Sequence, residues 1–180
     1  VETLLGGVGP NFYGANDFYA AVVSGKTTFE DPRFIGAVKK IGELRPYMPE
    51  LFAGVGYDDM QALFINGMAA HFIGGSYEAG TIKNQNAKLA FDIFPIPGIQ
   101  AGTQYVSVYA DMNWAVNANT LYKEAALTFL KFLGSKEVGN MVVSDLLMVS
   151  SVPGVNTSLD PFVGKVVNLL KNSNVLCLLS

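Results

Sequence analysis

Apolar residues recur at helical spacing in several segments of the chain. The clearest example follows Asp31-Pro32, where Asp suits the N-cap and Pro the first helical position, and apolar residues then recur from Phe34 to Leu44. Pro46 is expected to end this helix. The same pattern predicts five further helices, at about Asn16–Val23, at Asp58–Phe64 with an Asn66-Gly67 C-cap, at Leu121–Leu133, after the N-cap Ser135, and from about Asp160-Pro161.

Shorter apolar runs predict strands. Ala69–Ile73 is one such run, and Leu89–Phe94 alternates before Pro95 ends it. Two more lie close together, at Tyr105–Tyr109 and Asn113–Val116. Because the predicted strands and helices interleave along the chain, the pattern predicts an α/β fold.

The composition is that of a globular chain with little net charge. Of the 180 residues, 50% are hydrophobic and 15% are charged, and the formal net charge is −3. A chain of this length buries a sizeable core, and its mild acidity gives no attraction for nucleic acid, so we expect no nucleic-acid partner. The single cysteine excludes an internal disulfide. The start, without Met or a signal-peptide pattern, leads us to expect a piece of a longer protein.

Residue types that carry catalysis or bind metals are scarce. The one histidine, His71, lies in an apolar run without a neighbouring cysteine or second histidine, so a zinc site is not expected. No nucleophile elbow, P-loop or dinucleotide fingerprint is present. We therefore expect no catalytic residue, no metal ligand and no cofactor, and a protein that is not an enzyme.

The stretch Asp59–Glu78 has a specific order of features. A helix ends at Phe64 and is followed by Gly67, a run of small residues and the turn Gly74-Gly75-Ser76-Tyr77. This order resembles extracellular solute-binding protein family 1. The resemblance extends over about residues 12 to 170, through segments that keep the family's order: Phe29–Phe34, Phe94–Pro97, Asn117–Ser135 and Val152-Pro153. The chain departs from the family at Met68, where many members have Lys or Glu, at His71, and in its length, which is about half that of family members.

The resemblance implies a type II periplasmic-binding-protein-like fold, of the α/β class, represented here by the C-terminal lobe. Residues 1–104 would form the α/β region of that lobe. Residues 105–150 would hold the crossing segment and helices that normally pack in the N-terminal lobe, and residues 151–180 would return to the C-terminal lobe.

The same resemblance implies a function and its partners. Family members capture a carbohydrate between two lobes and deliver it to the permease subunits of an ABC importer in the membrane. The implied location is extracellular, in the cell envelope, either free in the periplasm or lipid-anchored at the outer face of the cytoplasmic membrane. The full-length form is expected to be a monomer. Self-association is the expected alternative for a fragment whose apolar faces lack their usual partners.

A sugar site pairs an aromatic ring, on which the C–H face of a pyranose stacks, with polar groups that bind its hydroxyls. By resemblance, Tyr77 is the stacking ring; its alternative role is packing under a loop. Gly75, with Gly74, would allow close approach of the ligand to backbone N–H groups, unless the pair only forms a tight turn with positive φ. Ser76 and Glu78 would bind hydroxyls or, alternatively, cap the following helix.

A second predicted set of ligand residues lies on the crossing segment. Asp111 and Asn113 are two residues apart and point the same way on a strand, together with Tyr109. These three are candidate hydroxyl ligands, with turn formation as the alternative for the two polar residues. By the same alternation, Trp114 faces the opposite way and is expected in the core.

Three other functions remain open. A polyamine site would need several acids around an aromatic box, a role that Tyr77 and Asp111 could fill. A ferric-iron site would need clustered tyrosines and carboxylates, and no paired tyrosines occur. A glycoside-acting enzyme would need two carboxylates held about 5 to 9.5 Å apart, for which Asp111 and Glu78 are the candidates.

Overall fold

A computed structural model describes residues 2–98, 104–108 and 113–177 of the chain. It divides into two compact units, each built from separate stretches of sequence. The first unit comprises Val1–Gly75, Lys88–Tyr109 and Asn172–Ser180, and the second comprises Ser76–Ala87 and Ala110–Lys171.

The described residues are mostly helical. The α-helices are α1 (Glu2–Val8), α2 (Pro10–Tyr13), α3 (Ala15–Val23), α4 (Pro32–Glu43), α5 (Tyr57–Ile65), α6 (Glu78–Gln85), α7 (Lys123–Leu133), α8 (Lys136–Ser144) and α9 (Pro161–Lys171). Short 3-10 helices cover Arg45–Tyr47, Phe52–Gly54 and Thr157–Leu159. The strands are β1 (Tyr105–Val108) and β2 (Asn174–Cys177).

The six helices predicted from periodicity are confirmed, because their end signals act locally. The side chain of Asp31 accepts a hydrogen bond from the Arg33 backbone N–H at 2.9 Å and caps α4. Ser135 caps α8 in the same way, and Asp160 accepts from two backbone N–H groups in the first turn of α9. At the other end of α5, Gly67 adopts a φ of 72°, which glycine tolerates best.

The two strands lie side by side in the first unit. β1 and β2 pair in parallel, with Tyr105 opposite Asn174. The backbone N–H of Tyr105 also donates to Oδ1 of Asn11 at 2.8 Å, and Asn11 is buried. This bond fastens the start of β1 to α2 and gives a buried polar side chain its partner.

An aromatic cluster fills the space between α2, α3 and α4. The rings of Tyr13, Phe18, Phe29 and Phe34 have centroids 4.9 to 6.3 Å apart, and the guanidinium of Arg33 lies 5.7 Å from the Phe18 centroid. Burial raises the pKa of Tyr13, because the phenolate would lose hydration there. The cluster therefore stabilises the helical part of the first unit.

The core of the second unit is aliphatic. Val143 of α8 and Val163 of α9 are fully buried, and Ala79, Ile82 and Leu147 are buried as well. α8 and α9 both pack against the 3-10 helix Thr157–Leu159. These three helical segments, which follow one another in the sequence, thus pack together.

Three of the four predicted strands are wrong in the described residues. Ala69–Ile73, Leu89–Phe94 and Asn113–Val116 have no regular secondary structure. A strand requires a neighbour to pair with, and apolar alternation cannot supply one. At Phe72 the apolar side chain is used in another way, since its ring packs on those of Phe64 and Tyr57 while the backbone forms no strand. The fourth strand is confirmed over Tyr105–Val108.

Candidate functional site

The predicted binding turn follows a segment that is held by aromatic contacts. After α5 the chain runs without regular structure through Phe72 to Gly75, all within the first unit. The Phe72 ring lies 5.6 Å from that of Tyr57 and 6.0 Å from that of Phe64, measured between centroids. These contacts fix the approach to the turn, although no strand forms there.

Gly74 packs closely against two aromatic side chains. A Cβ atom at this position would lie 2.6 Å from the Phe72 ring and 3.1 Å from the Tyr57 hydroxyl. Gly74 is not among the glycines with positive φ, so its place in the turn does not depend on a left-handed backbone.

Ser76, Tyr77 and Glu78 come together where α6 begins, in the second unit. Ser76 and Tyr77 form a turn and are half-buried. Tyr77 occupies the N-cap position of α6, where no side chain caps the helix, so the predicted capping role of Ser76 is not seen. Glu78 is the first helical residue and is only 7% exposed. The start of α6 thus combines a phenol ring with a buried acid. Burying a carboxylate costs free energy unless polar groups surround it.

Contacts within the second unit hold α6 in place. The ammonium of Lys83 lies 3.7 Å from the Asp160 carboxylate and 5.9 Å from the centroid of the Phe162 ring. Gly80 approaches the backbone carbonyl of Leu146 so closely that a Cβ atom would lie 2.8 Å from its oxygen. Both sets of contacts fix the helix from which Glu78 projects.

The second predicted set of ligand residues lies largely outside the described residues. Tyr109 and Asp111 fall there, and Asn113 is exposed in a segment without regular structure. Since no strand forms at Asn113, the alternation that placed its side chain does not apply.

Trp114 lies at a surface groove that the sequence interpretation missed. Its side chain is 62% exposed, so the expectation that it lies in the core is wrong. The groove has a volume of about 240 Å³ and an apolar, uncharged wall. Its lining residues are Trp114, Ala115, Val116, Asn117, Thr120, Ala126, Phe129, Leu130 and Leu133. The signal in the sequence is the apolar face of α7, from which Phe129, Leu130 and Leu133 line the groove.

The described residues lack a metal-binding cluster and a membrane-spanning helix. No group of three His, Cys, Asp or Glu side chains is arranged to hold a metal ion within the described ranges. None of the helices in the described part of the chain is long and apolar enough to cross a membrane.

Comparison with known proteins gives the family. The sequence profile of bacterial extracellular solute-binding proteins matches residues 10–165, which is most of the chain. A search of curated proteins finds no match. The profile confirms the family predicted from the order of motifs and carries with it a periplasmic-binding-protein-like fold and a location outside the cytoplasm, in the periplasm or cell envelope.

Proteins of this kind bind a small solute, pass it to a membrane transporter, and are typically not enzymes. Their match with this chain extends through the turn at Tyr77 and through α7 and α8. The chain therefore belongs to the bacterial extracellular solute-binding proteins, which serve ABC transport.

Proposed function

We propose that the solute is a carbohydrate, bound in an inter-lobe cleft and delivered to the permease of an ABC importer. The observation that supports a sugar is the start of α6, where half-buried Tyr77 directly precedes buried Glu78. A phenol ring offers a flat apolar face for a pyranose, and a carboxylate accepts hydrogen bonds from sugar hydroxyls.

Each residue from 75 to 78 has a proposed role in capturing the sugar. The Tyr77 ring stacks on the sugar, and the Glu78 carboxylate accepts bonds from two neighbouring hydroxyls. Ser76 donates or accepts one further bond, and Gly75 leaves the backbone open to the ligand. These contacts orient the sugar without altering its bonds, so the role is binding and not catalysis.

The second set of ligands is proposed for the other side of the same sugar. In the sequence Tyr109, Asp111 and Asn113 follow β1, on the segment that we propose crosses between the lobes. A ligand that touches both lobes stabilises their closed arrangement, and closure is then a shift in population that the permease senses.

A lobe assignment goes with this mechanism. We propose that residues 1–104 and 151–180 belong to the C-terminal lobe, whereas residues 105–150 include the crossing segment and α7, which packs in an N-terminal lobe. The exposure of Phe129 and Phe132 on α7, at 57% and 45%, supports this assignment, because such rings are expected to be covered by a partner surface.

A thermal-shift screen tests the proposal. The chain is melted with mono- and oligosaccharides, polyamines and metal ions, since binding to the native state raises the melting temperature by mass action. We expect a dose-dependent rise with one saccharide class that is lost in Tyr77→Ala and retained in Tyr47→Ala, a matched control at a tyrosine that is 87% exposed.

The alternative outcomes are informative. A rise only with a polyamine or a metal ion would replace the carbohydrate by that ligand. A rise with saccharide that persists in Tyr77→Ala would remove the turn from the site. A flat response to the whole panel would contradict carbohydrate capture by this chain and leave its family membership unchanged.

A further inference from the structure

Gly80 occupies a position where glycine is unfavourable on local grounds. It is the third residue of α6 and is buried. Glycine destabilises a helix interior relative to alanine, because its backbone loses more freedom on folding. A reason for glycine at this position must therefore come from its surroundings.

The surroundings of Gly80 are backbone. A Cβ atom at this position would lie 2.8 Å from the carbonyl oxygen of Leu146 and 3.4 Å from its carbonyl carbon. Unlike the tip of a flexible side chain, these atoms cannot rotate away. Any larger residue must push α6 and the Leu146 backbone apart.

The backbone at Leu146 has little freedom to move. It forms the corner after α8, where the Met148 N–H donates to the Val142 carbonyl at 3.1 Å. Leu147 takes the left-handed conformation with a φ of 56°, which is strained for leucine, and its side chain is 8% exposed. Burial of that side chain maintains the strained corner, so an added atom at Gly80 would displace α6.

The residues after the corner are also fixed. A Cβ atom on Gly139 of α8 would lie 2.5 Å from a methyl group of Val155 and 3.1 Å from both Ser150 Oγ and Val152 Cβ. The corner therefore contacts α6 on one side. The chain that follows it is held by the close packing of α8 against residues 150–155.

We infer that Gly80 is a positioning residue for the binding turn. Its missing side chain lets α6 rest on the Leu146 carbonyl, and that contact sets where the helix start presents Tyr77 and Glu78. The inference rests on the proposed function, since it assigns to Gly80 the placement of the two principal sugar-binding side chains. A shift of α6 misplaces both of them together, and binding sites tolerate such displacement poorly.

The test compares two glycine-to-alanine substitutions in the same unit. Gly164 lies in α9, and its added Cβ would meet its nearest neighbour, the Thr157 carbonyl, at an ordinary 3.7 Å. In calorimetric titration with the saccharide found by the screen, we expect Gly80→Ala to weaken affinity at least tenfold and Gly164→Ala to leave it unchanged. Equal affinities for Gly80→Ala and the wild type would overturn the inference.

A further variant separates the effect of a displaced α6 on affinity from the effect of lower stability. Val163→Ala opens a cavity in the core of the second unit, because Val163 is fully buried, and it should lower the melting temperature. Its saccharide affinity should remain that of the wild type. If affinity falls in step with melting temperature in both Val163→Ala and Gly80→Ala, the effect of Gly80 is structural only, and the positioning role is wrong.

Amide hydrogen exchange tests the displacement of α6 without any ligand. Gly80→Ala should accelerate exchange of the backbone amides of α6, whereas Gly164→Ala should not. Unchanged exchange across α6 would overturn the inference. If the wild type binds no saccharide, the proposed function fails, and the exchange result still shows whether Gly80 sets the position of α6. If Gly80→Ala does not fold, Leu147→Gly removes the buried side chain that maintains the corner and should accelerate exchange of the same α6 amides; unchanged exchange there would overturn the inference.

Discussion

The starts of α4 and α6 differ in where an acidic residue lies and in whether its side chain caps the helix. α4 begins after Asp31, whose backbone is extended and whose carboxylate accepts bonds from the Arg33 backbone, the Arg33 guanidinium and the Thr27 hydroxyl. α6 begins after Tyr77, whose backbone is helical and whose side chain caps nothing. In α4 the acid precedes the helix, whereas in α6 the acid, Glu78, is the first helical residue and is buried.

This difference separates a structural carboxylate from a proposed binding one. The Arg33 guanidinium and backbone N–H hold the pKa of Asp31 well below its usual range, so its bonding capacity serves the fold. In turn, the hydrogen bond to the Asp31 carboxylate and its negative charge raise the pKa of Arg33. At α6 no side-chain cap is present, and the proposed role of Glu78 is to accept hydrogen bonds from the sugar.

The largest expected effect is on the acid of α6. Glu78→Gln removes the charge but keeps the shape, and we expect saccharide affinity to fall roughly ten- to hundredfold, as expected for loss of charged hydrogen bonds. Titration calorimetry measures the effect. Glu137→Gln is the matched control, because Glu137 lies in the first turn of α8 but is exposed. A similar loss of saccharide affinity in Glu78→Gln and Glu137→Gln would show that Glu78 has no specific role in binding.

A smaller effect is expected from the phenol hydroxyl. Tyr77→Phe keeps the stacking face and loses one hydrogen-bonding group, so affinity should fall about two- to tenfold. The same titration measures it, with Tyr47→Phe as the control. If Tyr77→Phe were as damaging as Tyr77→Ala, the ring would contribute no stacking.

At α4 the expected effect is on stability alone. Asp31→Ala removes the cap and the ion pair with Arg33, and the melting temperature should fall by about 2–4 °C for a chain of this size. Saccharide affinity should stay at the wild-type value. Differential scanning calorimetry and titration together check this, and a loss of affinity would show that the two helix starts are not independent.

The pH dependence of that stability is the smallest effect. Because the pKa of Asp31 is lowered in the folded chain, its contribution is complete above the ordinary carboxyl pKa of about 4. The contribution is lost as the pH falls from there towards the folded-state pKa. The melting-temperature difference between wild type and Asp31→Ala should be constant from about pH 5 to 7 and shrink below about pH 4. A melting-temperature difference that grows on acidification would contradict this prediction.

The helices were predictable because their signals are local. Asp31, Ser135 and Asp160 each cap the helix that the sequence assigned to them. The wrong strands share one cause, since pairing depends on distant residues. β2 was missed for the same reason, because it forms only opposite β1.

The candidate site was predictable in part. The place of Tyr77 and Glu78 beside a helix start followed from the motif order, whereas the burial of Glu78 depends on tertiary packing that no local pattern encodes. Strand alternation predicts Trp114 in the core, and this prediction is wrong because no strand forms at that position and the side chain is exposed.

The most direct test of carbohydrate capture at the α6 start is saccharide titration followed by backbone amide resonances. We expect the amides of Gly75, Ser76, Tyr77 and Glu78 to shift saturably while those at the start of α4 stay unchanged. Saturable shifts confined to the Trp114 groove, or to the start of α4, with the amides of residues 75–78 unaffected, would contradict carbohydrate capture at the start of α6.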